Sequence, residues 1–348
     1  MSDTSIRTRY ARAEGRRIVL ILMAILVLAA LVLLDLLTGP SGMSLADLSQ
    51  AFMAGPAGED RTAATILWQI RMPQTVMGVI VGACLGIAGL QMQTILANPL
   101  ASPFTLGFSA SAGFGAALAI MYGGWIPLPS FLVIPISAFI MTLVACAIIY
   151  VIAIWRGATP EMLVLSGIAV LFFFQSLQSL LQFMASPEVL QQIVFWLFGT
   201  LLKANWTSVS VSGLILVICL PFVLRDIWNL TAMRLGDANA ASLGLNLQAM
   251  RQRTFIIVAL LTSAAVCFVG TIGFVGLIAP HVSRAVIGED HRYAIPLSAI
   301  TGSIILISAS VLGKMLSPGT AIPVGIITAI AGIPMLMAVI LSHKGAGK

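Results

Sequence analysis

Along the chain, apolar runs of about 20 residues alternate with short polar or Pro/Gly breaks. Runs of that length match the hydrocarbon thickness of a bilayer. They predict membrane-spanning helices near 18–38, 66–92, 105–122, 130–154, 161–184, 209–224, 254–272, 274–286, 293–313 and 322–341. The eighth is short for a full crossing. Two stretches between runs are longer than a turn requires. Residues 185–208, with the apolar run Ile193 to Leu202, predict a short helix at the outer interface, Trp196 and Trp206 lying at headgroup depth. Residues 225–253 predict a compact knob on the opposite side. There, Gly236-Asp237 can start a helix with Asp237 as N-cap, Ala238 to Leu243 continue it, and Gly244 suits a left-handed C-terminal position. Asn246 can then cap a second helix running into Arg251 and Arg253. Capping chemistry alone fits a passive connector equally well.

Composition agrees with the pattern. Of 348 residues, 59% are hydrophobic and 9% charged, whereas soluble domains carry roughly 25% charged residues. The chain cannot cover itself with polar surface, so lipid is its solvent. The fold class is an all-α integral membrane protein of about ten helices, read as one transmembrane unit over 1–348 with a basic tail at 1–17. No internal repeat is visible. Cys84, Cys146, Cys219 and Cys267 fall singly inside apolar runs and read as small core residues rather than as a disulfide or zinc framework.

Charge sets the orientation. With the N-terminus inside, Arg7, Arg9, Arg12, Arg16, Arg17, Arg156, Arg225, Arg234, Arg251, Arg253, Arg284, Arg292, Lys344 and Lys348 are cytoplasmic, fourteen of the eighteen basic residues. Arg61, Arg71, Lys203 and Lys314 remain outside. Both termini are therefore expected in the cytoplasm, and Ile18 to Leu37 reads as an uncleaved first helix, since no A-x-A site follows it. The net charge of +6 follows from this topology and from lipid headgroups, not from nucleic acid.

Ionisable groups deep in a span would point to ion-driven transport. None is evident. Asp35 near the outer end of the first run and Glu161 at the inner end of the fifth read as solvated interfacial groups. A Walker A pattern is missing too, because Gly347-Lys348 has neither the upstream Gly nor the following Ser or Thr. Active transport by this chain needs a separate ATPase. His281, His291 and His343 have no second ligand at helical spacing and read as structural, so no metal site is expected. A stand-alone secondary transporter or channel shares the hydropathy, and its one candidate helix break is Gly273-Phe274-Val275-Gly276. A membrane scaffold is a third reading.

Three segments carry a resemblance. The first is Ile70-Arg71-Met72-Pro73, running through Gly78, Gly82, Gly86 and Gly89 to Gln91-Met92-Gln93 and Asn98-Pro99-Leu100-Ala101-Ser102-Pro103. The second is Leu235-Gly236-Asp237 to Ser242-Leu243-Gly244. The third runs from Gly273-Phe274-Val275-Gly276 through Pro280-His281-Val282-Ser283-Arg284 to Asp290-His291-Arg292 and, later, Ile322-Pro323-Val324-Gly325-Ile326. In order and spacing the chain resembles the FecCD family, permease subunits of binding-protein-dependent ABC importers for ferric siderophores, haem and cobalamin.

The resemblance implies a type II importer architecture, a second permease subunit, two ATP-binding subunits holding ATP and magnesium, and a periplasmic or lipid-anchored binding protein at a bacterial inner membrane. It implies that Leu235, Gly236, Asp237, Ser242, Leu243 and Gly244 receive the ATPase. Asn98, Pro99, Leu100 and Thr159 would form a cytoplasmic gate, Thr159 being followed by Pro160 and Glu161 where cobalamin-importing members carry hydroxyl residues. Arg71, Gln74 and Lys314 would dock the binding protein, Gln74 replacing a second arginine of those members. Gly273, Phe274, Gly276, Pro280, His281 and Arg284 form a family signature. The chain would itself be no enzyme and bind no cofactor. The run Asn98 to Gly107 favours a ferric siderophore as cargo, with haem or cobalamin as alternatives.

Overall fold

A computed structural model describes residues 3–58, 60–317 and 321–343, and among them the only regular structure is helical. In chain order the helices are α1 (Asp3–Leu37), α2 (Leu45–Ala54), α3 (Arg61–Ile95), α4 (Phe108–Tyr122), α5 (Ser130–Arg156), α6 (Pro160–Met184) and α7 (Pro187–Leu197). They continue with α8 (Trp206–Arg225), α9 (Ile227–Met233), α10 (Asp237–Ser242), α11 (Leu247–Val266), α12 (Val275–Ile287), α13 (His291–Leu316) and α14 (Val324–His343). Seven of them, α1, α3, α5, α6, α8, α11 and α13, are long and apolar enough to cross a bilayer. The shorter apolar helices α4, α12 and α14 complete the set of about ten. At 13 residues α12 spans only about 20 Å, in keeping with its short apolar run. Lys344 and Lys348 lie outside the described residues.

The centre is built from α3, α11 and α13. In α3, 78% of the apolar stretch is buried inside the protein, against 6% in α1, which faces lipid along its middle. Glycine explains the closeness of α3 to α13. A Cβ on Gly82 would overlap the backbone of Gly302 and Ser303, and one on Gly86 that of Ser298. Hydroxyls fasten the seam: Ser298 Oγ donates to Gly86 O and Ser303 Oγ to Val79 O, both at 2.8 Å. The glycines at 78, 82 and 86 are thus packing residues. The cysteines Cys84, Cys146, Cys219 and Cys267 are free and buried, as small core residues are.

Several expectations change. The outer stretch forms the short helix α7, which packs into α4 and α6 through Ile193, Ala117 and Leu181, and Trp196 is buried. It also ends earlier: Asn205 caps α8, which begins at Trp206. Only Trp206 remains exposed, its Nε1 donating to Trp68 O. Between α1 and α3 lies an unforeseen helix, α2, opened by a Ser44/Asp47 capping box whose hydrogen bonds hold the Asp47 carboxyl below its usual range. The second knob helix is not separate from the following span; both are the single helix α11, which ends at Val266.

Asp35 is the largest correction. It is fully buried rather than solvated, accepting from Lys314 Nζ at 2.8 Å and from Thr75 Oγ1 at 2.5 Å. A lone carboxylate is too costly to bury. The chain therefore brings its cation from α13, 279 residues away.

Candidate functional site

The knob between α8 and α11 is held by local chemistry. Gly236, at φ +95, is the N-cap of α10, so Asp237 is the first helical residue and not the cap. At the other end Gly244 takes φ +83 and its N–H reaches Ala241 O, the left-handed stop its position predicts. Ser242 Oγ donates to Asn239 O at 2.7 Å, and Asn246 Oδ1 accepts from Ala249 N to open α11. Leu235 and Leu243 stand out of this small frame, 63% and 65% exposed.

The Asp237 carboxylate is engaged by Arg251 of α11, whose Nη2 donates at 2.7 and 2.6 Å. Arg251 is itself buried and reaches further. Its Nε donates to Ile95 O at 3.1 Å and its Nη1 to Ala158 O at 3.4 Å.

Those two carbonyls introduce the two loops expected to gate the pathway. After α3 ends, Ala97 adopts φ +46, Asn98 N donates to Gln93 O, and Asn98 Oδ1 accepts from Leu100 N at 2.9 Å. Asn98 thus folds the loop on itself as an Asx-turn. Pro99 and Leu100 then face Leu277, Ile278 and His281 of α12 across a small cleft. Thr159 follows Ala158 and caps α6, its Oγ1 accepting from Met162 N. Pro160 at the first helical position and the exposed Glu161 give that helix an orthodox start.

The signature segment backs this region. Phe274, at φ +66, holds a left-handed conformation that a non-glycine residue adopts only under constraint, and its ring fills the space a side chain at Gly332 would need. Pro280 lacks an N–H, so the Gly276 carbonyl has no partner one turn on; it lies against Gly89 of α3, where a Cβ would overlap it. Gly273 lies within reach of the Phe104 ring.

A second polar group ties α12, α13 and the knob to the same end of α3. Arg284 Nη2 donates to Gln93 Oε1, and Gln93 Nε2 to Leu277 O at 3.2 Å. Glu289 takes Arg234 Nη2 at 2.7 Å, with Arg284 Nε at 3.9 Å. His291 is buried, its Nε2 2.8 Å from Thr94 Oγ1 and its Nδ1 3.1 Å from Glu289 O. These partners fit a structural histidine. His281 is half-buried at the cleft, and the side chain of His343 is outside the described set. No group of three metal-ligating side chains occurs among the described residues. Sequence reasoning named Arg251, Arg234 and Gln93 without assigning them these partners, and it missed Glu289 and Thr94. Their signal was polarity at the very ends of apolar helices.

At the opposite end, Arg71, Gln74 and Lys314 line one cleft of about 330 Å³ with Thr38, Ser41, Ile70 and Leu202. The structure brings the three together but does not present Arg71 and Lys314 as free surface cations. Arg71 is 4% exposed; its Nη1 donates to Leu36 O and, at 3.1 Å, to Leu37 O, and its Nη2 to Ser41 Oγ at 2.6 Å. Lys314 is spent on Asp35, and Gln74 Nε2 reaches Leu202 O at 3.4 Å. Both cations fasten the outer end of α1.

Comparison with known proteins gives one answer. The FecCD transport family matches residues 25–342. The chain is 33% identical to the Fe(3+)-citrate import system permease YfmD of Bacillus subtilis, over 96% of this chain and 97% of the relative. It is 36% identical to the cobalamin import permease BtuC of Halobacterium salinarum, over 80% and 74% of the two chains. With the hemin transport permease HmuU of Yersinia pestis it shares 34% identity over 80% and 84%. A solved metal-chelate type ABC transporter in an inward-facing conformation superposes with a TM-score of 0.82 at 26% identity, covering 93% of this chain and 99% of that one. The membrane helices and the match over 25–342 thus meet in one assignment: the chain belongs to the FecCD transport family, the permeases of metal-chelate type ABC importers.

Proposed function

We propose that this chain passes a ferric siderophore or a related iron chelate from a binding protein across a bacterial inner membrane, both termini cytoplasmic. It pairs with a second permease subunit and is driven by two separate ATPase subunits that hold ATP and magnesium. The chain performs no covalent chemistry and holds no cofactor of its own. The observation that carries the reading is the knob. Leu235 and Leu243 are large apolar side chains held out in solvent by a frame whose ends are capped, a shape that calls for a covering protein. The cargo follows the iron-citrate relative YfmD, which matches over nearly the whole chain. The face of α6 gives further support: Gln175, Ser176 and Ser179 are exposed at membrane depth, where lipid is a poor partner and a second permease or a polar chelate is a good one. An ion-coupled carrier is disfavoured, because Asp35 is already paired with Lys314.

The test is uptake by proteoliposomes containing the chain with its cognate ATPase and binding protein. Import of the ferric chelate should require both ATP and binding protein. Leu243→Asp should bring it to background, since Leu243 makes no core contact whose loss would unfold the chain. Import that survives that substitution overturns the knob assignment. Import without ATP overturns the whole reading.

A further inference from the structure

We propose that Arg251 is the residue that couples the knob to the gate, acting as a three-way clamp. The inference rests on the proposed function and deepens it, naming the part that carries motion from the ATPase-facing surface to the pathway. One guanidinium bonds three separate pieces of chain. Its Nη2 forks onto both carboxylate oxygens of Asp237, the first residue of the knob helix α10. Its Nε holds Ile95 O, at the end of α3 just before the Asn98–Leu100 turn. Its Nη1 holds Ala158 O, just before the Thr159 cap of α6. Arginine suits this task because its donors are fixed in one plane, so a displacement of one partner turns the others.

The pattern of burial separates a transmitter from an ordinary anchor. Arg251 is 5% exposed, whereas the Asp237 side chain is 50% exposed on the knob. The accessible end is the one a partner can move, and the sheltered end is bonded to backbone. Arg251 thereby joins a half-exposed surface residue to two chain segments that lie 93 and 156 residues from Arg251 in sequence. The neighbouring cluster of Arg284, Gln93 and His291 anchors the same end of α3 to α12 and α13. It thereby supplies a fixed frame against which the clamp pulls.

Two variants test this. Arg251→Lys keeps the charge and loses the fork; Asp237→Asn keeps the shape and loses the charge at a half-exposed site. In proteoliposomes of the complete transporter, chelate imported per ATP hydrolysed should fall roughly tenfold in either variant, the scale of one lost charge-assisted hydrogen bond. Asp237→Glu should restore it in part. A fold defect lowers import and hydrolysis together and leaves the ratio alone, so an unchanged ratio overturns the clamp. A readout independent of transport uses spin labels on the exposed positions Leu243 and Leu100. The label-to-label distance distribution should broaden in Arg251→Lys, and an unchanged distribution overturns the clamp. If the unaltered complex imports no chelate the proposed function fails, and the spin-label result alone decides the clamp.

Discussion

Asp35 and Lys314 show what a single pair does in this chain. Their charges lie against each other in a site with no water access for Asp35, and a buried ion pair loses far more when broken than when removed whole. Lys314→Met alone should cost about 3–5 kcal/mol, with Asp35→Leu in the same chain restoring most of the loss. Thermal unfolding of the two variants in detergent measures the difference. Asp290, the N-cap of α13, makes the corresponding pH statement. Hydrogen bonds from Arg292, with Arg17 nearby, hold its carboxyl below the usual carboxylate range against the opposing effect of partial burial. A depressed pKa contributes stability that is present above the unfolded value of about 3.9 and is lost as pH falls through the folded one. Below pH 4 the attachment of α1 to the α12–α13 loop should therefore weaken. Asp290→Asn should flatten the acid limb of a stability-against-pH curve, while Asp290→Glu should keep it.

Among elements, the seam between α3 and α13 is where one methyl decides the outcome. Gly86→Ala would drive a Cβ into the Ser298 carbonyl, and overpacking of that kind costs roughly 1–3 kcal/mol or more. Gly213→Ala in α8 meets only the Ile80 methyl at 3.4 Å and should be neutral or slightly stabilising. Yield of monodisperse protein after solubilisation separates the two. The seam also marks how much of the fold was legible. Gly78, Gly82 and Gly86 recur every four residues on one helix face, a spacing that permits close helix approach in lipid, and the Gly244 and Asn246 ends of the knob could be placed because capping is local chemistry. The helix α2 escaped notice: its ten residues are too few for a membrane signal, and its capping box is short. The register of Asp237 slipped by one position because Gly236, with positive φ, could take the cap itself.

For the whole molecule, what sequence left unreadable is long-range polar pairing. Nothing in an apolar first run says that Asp35 waits for a lysine 279 residues on, or that Arg251 bonds carbonyls of two other loops. Carbonyl acceptors have no residue identity, so patterns of residue types do not reveal them. These pairs nonetheless set the architecture. Arg71, Thr75 and Lys314 hold the outer end of α1, while Asp290 and Tyr293 hold its inner end through Arg17 and Glu14. The expectation that Arg71 and Lys314 serve a docking partner is narrowed by this. A docking carboxylate would have to compete with α1 for the same donors, so Arg71→Ala should lower thermal stability even in the isolated chain, with or without binding protein present.

The bare leucines of the knob have a practical consequence. If the knob seats an ATPase as proposed, a chain made without that partner leaves Leu235 and Leu243 uncovered beside a membrane crowded with copies of itself. Orphaned in that way, it would offer quality-control proteases and its own neighbours the surface proposed for another subunit. Co-expression should therefore raise its cellular half-life.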